Sequence, residues 1–203
     1  MTMKNLAMTS LLVGCMASGL AHADYVLDTG ATFNTSMPLT LDGANFTAAE
    51  FTLGTGATIT DIAGYITGGN TGAPGDTFTI ALYAANGSGL SAASVWSGQG
   101  SYQADGWNGL HNLSINGLTA GNYWAAFEVG AADSTLGLLM PTIATPGSAS
   151  ALAYAFNAGS GYMSMNNAIG VQVSAVPDPD SYALFISGLS LLGYVSRRKK
   201  RIR

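Results

Sequence analysis

Two stretches of this chain hold residues whose types and spacing could do chemistry. Val26-Leu27-Asp28-Thr29-Gly30-Ala31-Thr32 sets a carboxylate in a turn of small residues after an apolar pair. A carboxylate so placed can share one proton with a second carboxylate and activate water. The second acid must come from elsewhere, and the nearest imitation, Asp133-Ser134-Thr135, lacks the following Gly. The other stretch is Gly-rich and carries Trp96, Tyr102, Trp107 and His111 among Gln103, Asp105 and Asn108. Aromatic faces stack on sugar rings, and neighbouring amides and carboxylates fix hydroxyls. Trp96, Tyr102, Trp107 and Asn108 are therefore the expected glycan contacts. The competing assignment puts Trp96 and Trp107 in the core and the polar residues in turns. It is preferred, because aromatic residues in β-proteins are mostly structural.

The Asp28 segment resembles the active-site loop of aspartic proteases. If the chain is cleaved after Ala23, however, Asp28 becomes only its fifth residue, with no room for the strand that should precede such a loop. A turn at the start of the domain accounts for Asp28-Thr29-Gly30 better. No catalytic residue is assigned, and a secreted hydrolase stands as a distant alternative to a non-enzymatic role. His111 is the one histidine left after loss of the leader. A lone imidazole cannot build a multi-histidine metal site, and spacing assigns it no Ser-His-Asp partners. The carboxylates form no calcium loop with alternating acids and a closing Glu. The expectation is no metal and no cofactor. Asn-x-Ser/Thr triplets begin at Asn34, Asn45, Asn86 and Asn112, as arises readily in a Ser/Thr-rich chain.

All seven Lys and Arg residues lie at the ends: Lys4, then Arg197, Arg198, Lys199, Lys200, Arg201 and Arg203. Between Asp24 and Val176 there are nine carboxylates and neither Lys nor Arg, for a formal charge of −9 with His111 neutral. A surface without cations cannot neutralise phosphates, which excludes nucleic acid as its partner. Nor can it form Lys or Arg ion pairs, so apolar burial and backbone hydrogen bonds must hold it together. The segment is long enough for one core without disulfides.

Helix signals are scarce there. Thr77–Tyr83 alternates, with Phe78, Ile80 and Leu82 on one face; Asn122–Val129 alternates likewise, with Tyr123, Ala125, Phe127 and Val129 together. Leu152, Tyr154 and Phe156 repeat the pattern, as do Ile169, Val171 and Val173. Further strands are expected at Phe46–Leu53, Thr58–Thr67, Ser91–Ser97, Leu110–Asn116 and Leu136–Met140. Asn86-Gly87-Ser88-Gly89, Asp105-Gly106 and Asn116-Gly117 supply turn residues between them. A single layer of so many strands would expose too much apolar surface. The expected fold is all-β, a two-sheet β-sandwich of jelly-roll or immunoglobulin-like type over residues 24–175.

The two ends read as addresses. Residues 1–23 have the form of a signal peptide: charged Lys4, a mostly apolar stretch from Leu6 to Leu20, and Ala21-His22-Ala23 as an A-x-A cleavage site. A rival site is Leu12-Val13-Gly14-Cys15, which resembles a lipoprotein lipobox. If Cys15 leaves with the leader, the mature chain has no thiol, hence no disulfide and no thiolate chemistry. At the other end Val176-Pro177-Asp178-Pro179 precedes an apolar run, Tyr182–Val195, and then the basic tail. Basic residues beside an apolar segment stay on the cytoplasmic side. The run has 14 residues, short of the ~20 that cross a bilayer comfortably, which suits a temporary anchor.

Taken in order, Val176-Pro177-Asp178-Pro179, Tyr182-Ala183-Leu184, Gly188-Leu189, Leu191-Leu192-Gly193 and the Arg/Lys tail resemble the PEP-CTERM sorting signal, a segment also labelled ice-binding protein C-terminal domain. The middle position holds Asp178 where that family usually has Glu. The resemblance covers 176–203. It implies export, transient retention in the inner membrane with the domain in the periplasm, and processing near the motif by a membrane-embedded exosortase. It also implies a mature form at the surface or in the exopolysaccharide matrix of a Gram-negative bacterium. The expected role is structural or adhesive in that matrix or biofilm, with a carbohydrate-binding module as the alternative.

Overall fold

The computed structural model describes residues 23–30, 34–87, 89–135, 137–143, 154–158, 161–178 and 187–189. The expected signal peptide with Ala21 and Cys15, Pro179, the basic tail, and all of the expected anchor except 187–189 lie outside these residues. Among the described residues no helix is long and apolar enough to cross a membrane.

The described chain is all-β and antiparallel. In order the strands are β1 (Asp24–Asp28), β2 (Asn34–Leu41), β3 (Asn45–Leu53), β4 (Ala57–Ile66), β5 (Thr77–Asn86), β6 (Gly89–Ser101) and β7 (Gly106–Leu110). There follow β8 (Ile115–Leu118), β9 (Gly121–Glu128), β10 (Leu138–Ile143), β11 (Tyr154–Ala158), β12 (Tyr162–Ser164), β13 (Ala168–Ile169) and β14 (Val171–Pro177). A five-stranded sheet has the order β1-β14-β4-β7, with β8 pairing the remaining length of β4. A six-stranded sheet runs β12-β11-β3-β9-β5-β6, and a smaller one runs β13-β10-β2.

Alternation puts one face of each sheet into a shared core. The five-stranded sheet contributes Leu27, Ile59, Ile62, Ile66 and Val173; the six-stranded sheet contributes Phe51, Phe78, Ile80, Leu82 and Phe127. Leu41, Leu138, Met140 and Ile169 of the small sheet close the same cluster. The packing is sandwich-like. One close approach shows how tight it is: a Cβ added at Gly64 would lie 2.7 Å from the Phe127 ring and 2.8 Å from Met140.

Most expected strands are present, with ends moved by a few residues. Leu110–Asn116 is different. It contains not one strand but the end of β7, a turn, and the start of β8. Asn112 sits at φ 56°, a left-handed conformation that Asn tolerates and that turns the chain there. Strands β1, β2 and β12 were not signalled by any clean alternation. The last strand also runs past the expected domain boundary at residue 175, taking Val176 and Pro177 into register with Thr58 and Ala57.

Filling the notch at Gly64 should be costly. Gly64→Ala is expected to lower the unfolding free energy by about 1–3 kcal/mol, since Phe127 and Met140 are fully buried and cannot swing away. Gly43, with open space around it, is the control: Gly43→Ala should change little in the same urea titration.

Candidate functional site

The Asp28 carboxylate is engaged by its own turn and by the neighbouring strand. A strand does precede the turn, contrary to the expectation from position alone, because β1 occupies Asp24–Asp28. Yet the Asp28 carboxylate accepts from the Gly30 N–H at 3.0 Å and from the Gln172 amide at 3.3 Å. Asp133 is engaged elsewhere, by the Thr79 hydroxyl at 2.7 Å, the Gly130 N–H at 2.7 Å and the Gln99 amide at 3.0 Å. Each carboxylate is held by neutral donors rather than by the other.

The four expected glycan contacts divide in two. Asn108 is buried and saturated: its Oδ1 accepts from the Gln103 N–H at 2.8 Å, and its Nδ2 donates to the Ala104 and Gly106 carbonyls at 2.9 Å. It clamps the turn between β6 and β7. Tyr102 is also buried, and its hydroxyl donates to Asp105 Oδ1 at 2.6 Å, where the Gly68 N–H also donates at 2.9 Å. The Tyr102 hydroxyl, then the Gly68 N–H, hold the Asp105 carboxyl below its ordinary range. Both residues stitch loops together inside the domain and present no free polar atom to a ligand. Trp96 is partly buried against the core, its ring folded over Gly98 beside Leu110 of β7. Trp107 differs. It lies half-buried on β7, paired with Tyr65 of β4, ring centroids 5.7 Å apart and nearly perpendicular.

Following that pair along the sheet builds a site. Strand β4 faces β7 with Tyr65 against Trp107 and Ala63 against Gly109; one step further, Asp61 meets His111. Because Ile62, Gly64 and Ile66 point into the core, Asp61, Ala63 and Tyr65 point outward. On the other flank of β4, Gln172 and Ser174 of β14 sit opposite Ala63 and Asp61, and Tyr25 of β1 sits opposite Ser174. Tyr25, Asp61, Ala63, His111, Gln172 and Ser174 line one depression of about 200 Å³. Small residues make its floor. Gly109 is needed there, since a Cβ would come 2.1 Å from the Ile62 carbonyl. From the Tyr65–Trp107 pair to the His111–Asp61 pair is four residues, about 13 Å at strand rise.

His111 and Asp61 are 3.0 Å apart between Nδ1 and Oδ1, with His111 63% exposed and Asp61 35%. A carboxylate can only accept, so the proton lies on Nδ1, and in the neutral ring Nε2 is left as an acceptor. The trough formed by this depression and the adjoining Tyr65–Trp107 pair combines three aromatic rings with an amide, three hydroxyls, an imidazole and a carboxylate. Among the described residues no group of three His, Cys, Asp or Glu side chains is arranged to hold a metal ion.

Sequence reasoning named Trp107 and His111 as candidates and did not name Tyr25, Tyr65, Asp61, Gln172 or Ser174. These come from three strands spread over 149 positions, from Tyr25 to Ser174, and only strand order unites them. It also missed a second polar cluster, on the outer face of the six-stranded sheet. There the Tyr83 and Tyr162 hydroxyls both donate to Glu128 Oε1, at 2.9 and 2.7 Å. Burial and then the Glu128 charge push the Tyr83 hydroxyl up to about 12, and Tyr162 is raised by the same causes. Beneath this outer face lies Trp124, 1% exposed among Ala48, Ala81, Ala126 and Ala155. Beside it burial raises the Glu50 carboxyl, an effect the Asn122 side chain partly opposes.

The expected sorting motif is partly folded into the domain. Val176 and Pro177 complete β14, and the Asp178 N–H donates to the Gly56 carbonyl at 3.0 Å. The Asp178 carboxylate lies 3.3 Å from the Thr58 hydroxyl. Ala23, the expected cleavage residue, directly precedes β1.

No family model matches the chain, and neither does any curated protein. Among solved structures, the chain is similar to the cysteine protease and lectin-like domains of Cwp84, a surface layer associated protein of Clostridium difficile. The TM-score is 0.49 at 8% identity, over 66% of this chain and 33% of that one. The chain spans about a third of the length of that structure.

The Asp105 contact gives a pH signature. A carboxyl whose folded value is depressed adds stability above its unfolded value of about 3.9, and that stability is lost as pH falls toward the folded value. Tyr102→Phe removes the principal cause of the depression. The stability gap between native protein and Tyr102→Phe should be widest above about pH 4 and narrow below it, as read by urea unfolding across pH.

Proposed function

We propose that this is an exported protein of the cell surface or extracellular matrix that adheres to polysaccharide through the outer face of its five-stranded sheet. The observation that carries the binding half is the trough. Trp107, Tyr65 and Tyr25 offer ring faces and edges, while Gln172, Ser174, His111 and Asp61 offer hydrogen-bonding groups at the spacing of one strand step. Aromatic surface of this kind stacks on sugar rings, and a few convergent polar groups orient them. A shallow trough about 13 Å long fits a segment of polymer lying along the strands, as adhesion to a matrix requires.

The location half rests on the ends of the sequence: a leader with an A-x-A site, a marginal apolar anchor, and a basic tail in the order of the PEP-CTERM signal. On this reading the inner membrane and an exosortase-type enzyme are transient partners, and the exopolysaccharide is the lasting one. A −9 domain without Lys or Arg would otherwise have little to hold it at an anionic membrane surface once the tail is gone.

Two outcomes are expected. Tyr25 is 55% exposed, so Tyr25→Ala should leave the melting temperature within about 2 °C of native. It should nevertheless weaken retention on matrix polysaccharide in affinity electrophoresis by about fivefold, as should Trp107→Ala. Unchanged retention in both variants would remove the trough from the account. Separately, intact-mass analysis of the mature protein should place its C-terminus at or after Asp178. Trimming inside β14 would strip a strand paired on both sides, and a terminus before Val176 would refute processing at the motif.

A further inference from the structure

We infer that the trough selects uncharged, hydroxyl-rich saccharides and rejects uronate, sulfate and phosphate groups. This rests on the reading of the trough as a saccharide site, and it is not implied by that reading, since a matrix polymer can carry either neutral or acidic sugars.

The polar groups around the depression are biased toward accepting. Asp61 is an acceptor, and it holds the His111 Nδ1 proton at 3.0 Å, which leaves Nε2 of the neutral ring as a second acceptor. One of the two Gln172 Nε2 hydrogens is drawn to Asp28 Oδ1 at 3.3 Å, which leaves the amide one N–H donor beside a carbonyl oxygen that can accept twice. Ser174 and Tyr25 contribute hydroxyls, which donate or accept as required. Sugar hydroxyls are donors that satisfy such acceptors. A carboxylate or sulfate ester brings acceptors only, and would meet Asp61 inside the depression and Asp24 and Asp28 on the adjoining strand β1.

Nothing nearby offsets those charges. Between Asp24 and Val176 the sequence has no Lys or Arg, and the imidazole beside Asp61 is committed to it by hydrogen bond. Recognition of anionic sugars relies on Arg or Lys forks, and this face has none to supply. Like charges inside a partly desolvated trough are screened less than charges on open surface, so the bias persists at physiological salt, where the Debye length is about 8 Å.

The test uses polymers of one backbone in two charge states: dextran against dextran sulfate, and hydroxyethylcellulose against carboxymethylcellulose. The full-length protein is measured by affinity electrophoresis at 0.15 M salt. The neutral member of at least one pair should be retained at least tenfold more strongly than its anionic partner. Asp61→Asn should narrow that ratio several-fold, whereas Asp42→Asn, which changes the net charge equally but lies on the β2–β3 turn, should leave it unchanged. Equal narrowing by Asp42→Asn would trace the discrimination to overall charge and overturn the assignment to the trough. Tighter binding of the anionic member would overturn the selectivity while leaving the saccharide site standing. Retention of neither member of any pair, with native melting behaviour, would overturn the site and the selectivity together.

Discussion

The rest of the structure depends on burying alternating apolar faces in a domain that has no Lys or Arg to make ion pairs. Phe78, Ile80, Leu82 and Phe127 meet Ile59, Ile62, Ile66 and Val173 across a single core. Fit matters there more than composition: Gly64 leaves the space that the Phe127 ring fills. The carboxylates follow from the same constraint. Asp105 is held by a tyrosine hydroxyl and an amide, Asp133 by a threonine, a glutamine and an amide, Glu128 by two tyrosines. Neutral donors do the work that Lys and Arg do in most domains.

Strand order then ties the ends of the domain to its surface. Asp24 pairs with Ala175, so the first and last strands lie side by side and the chain enters and leaves at one end of the five-stranded sheet. Strand β14 is flanked by β1 and β4, which makes the residues before the apolar C-terminal run part of the fold. The same three strands, with β7, form the floor of the trough. Ser174 and Gln172, which line the depression, lie two and four residues before Val176 on that strand.

Much of the architecture was legible. The runs at Thr77–Tyr83 and Phe46–Leu53 read as strands because two-residue alternation is local, and a residue's face is set by its immediate neighbours. Leu110–Asn116 misled because an apolar pattern says nothing about backbone handedness, and Asn112 adopts a left-handed conformation inside it. Of the aromatic cluster, Trp107 lies on the outward face of β7, half-buried against Tyr65. Asn108 and Tyr102 were not distinguishable from it by residue type. Their polar atoms face inward because of where the β6–β7 turn folds back, and that is a matter of packing.

The sequence by itself determined the all-β class, the absence of cations between Asp24 and Val176, and the alternation that sorts each strand into two faces. These are properties of composition and of a backbone whose side chains point to opposite sides at successive residues. Only the tertiary structure decided which outward faces become neighbours. Tyr25, Asp61, Trp107 and Gln172 lie up to 147 positions apart and share one surface because β14 inserts between β1 and β4 while β7 closes the other side. Pairing of distant strands is settled by the global fit of the core, which no local run of residues can encode.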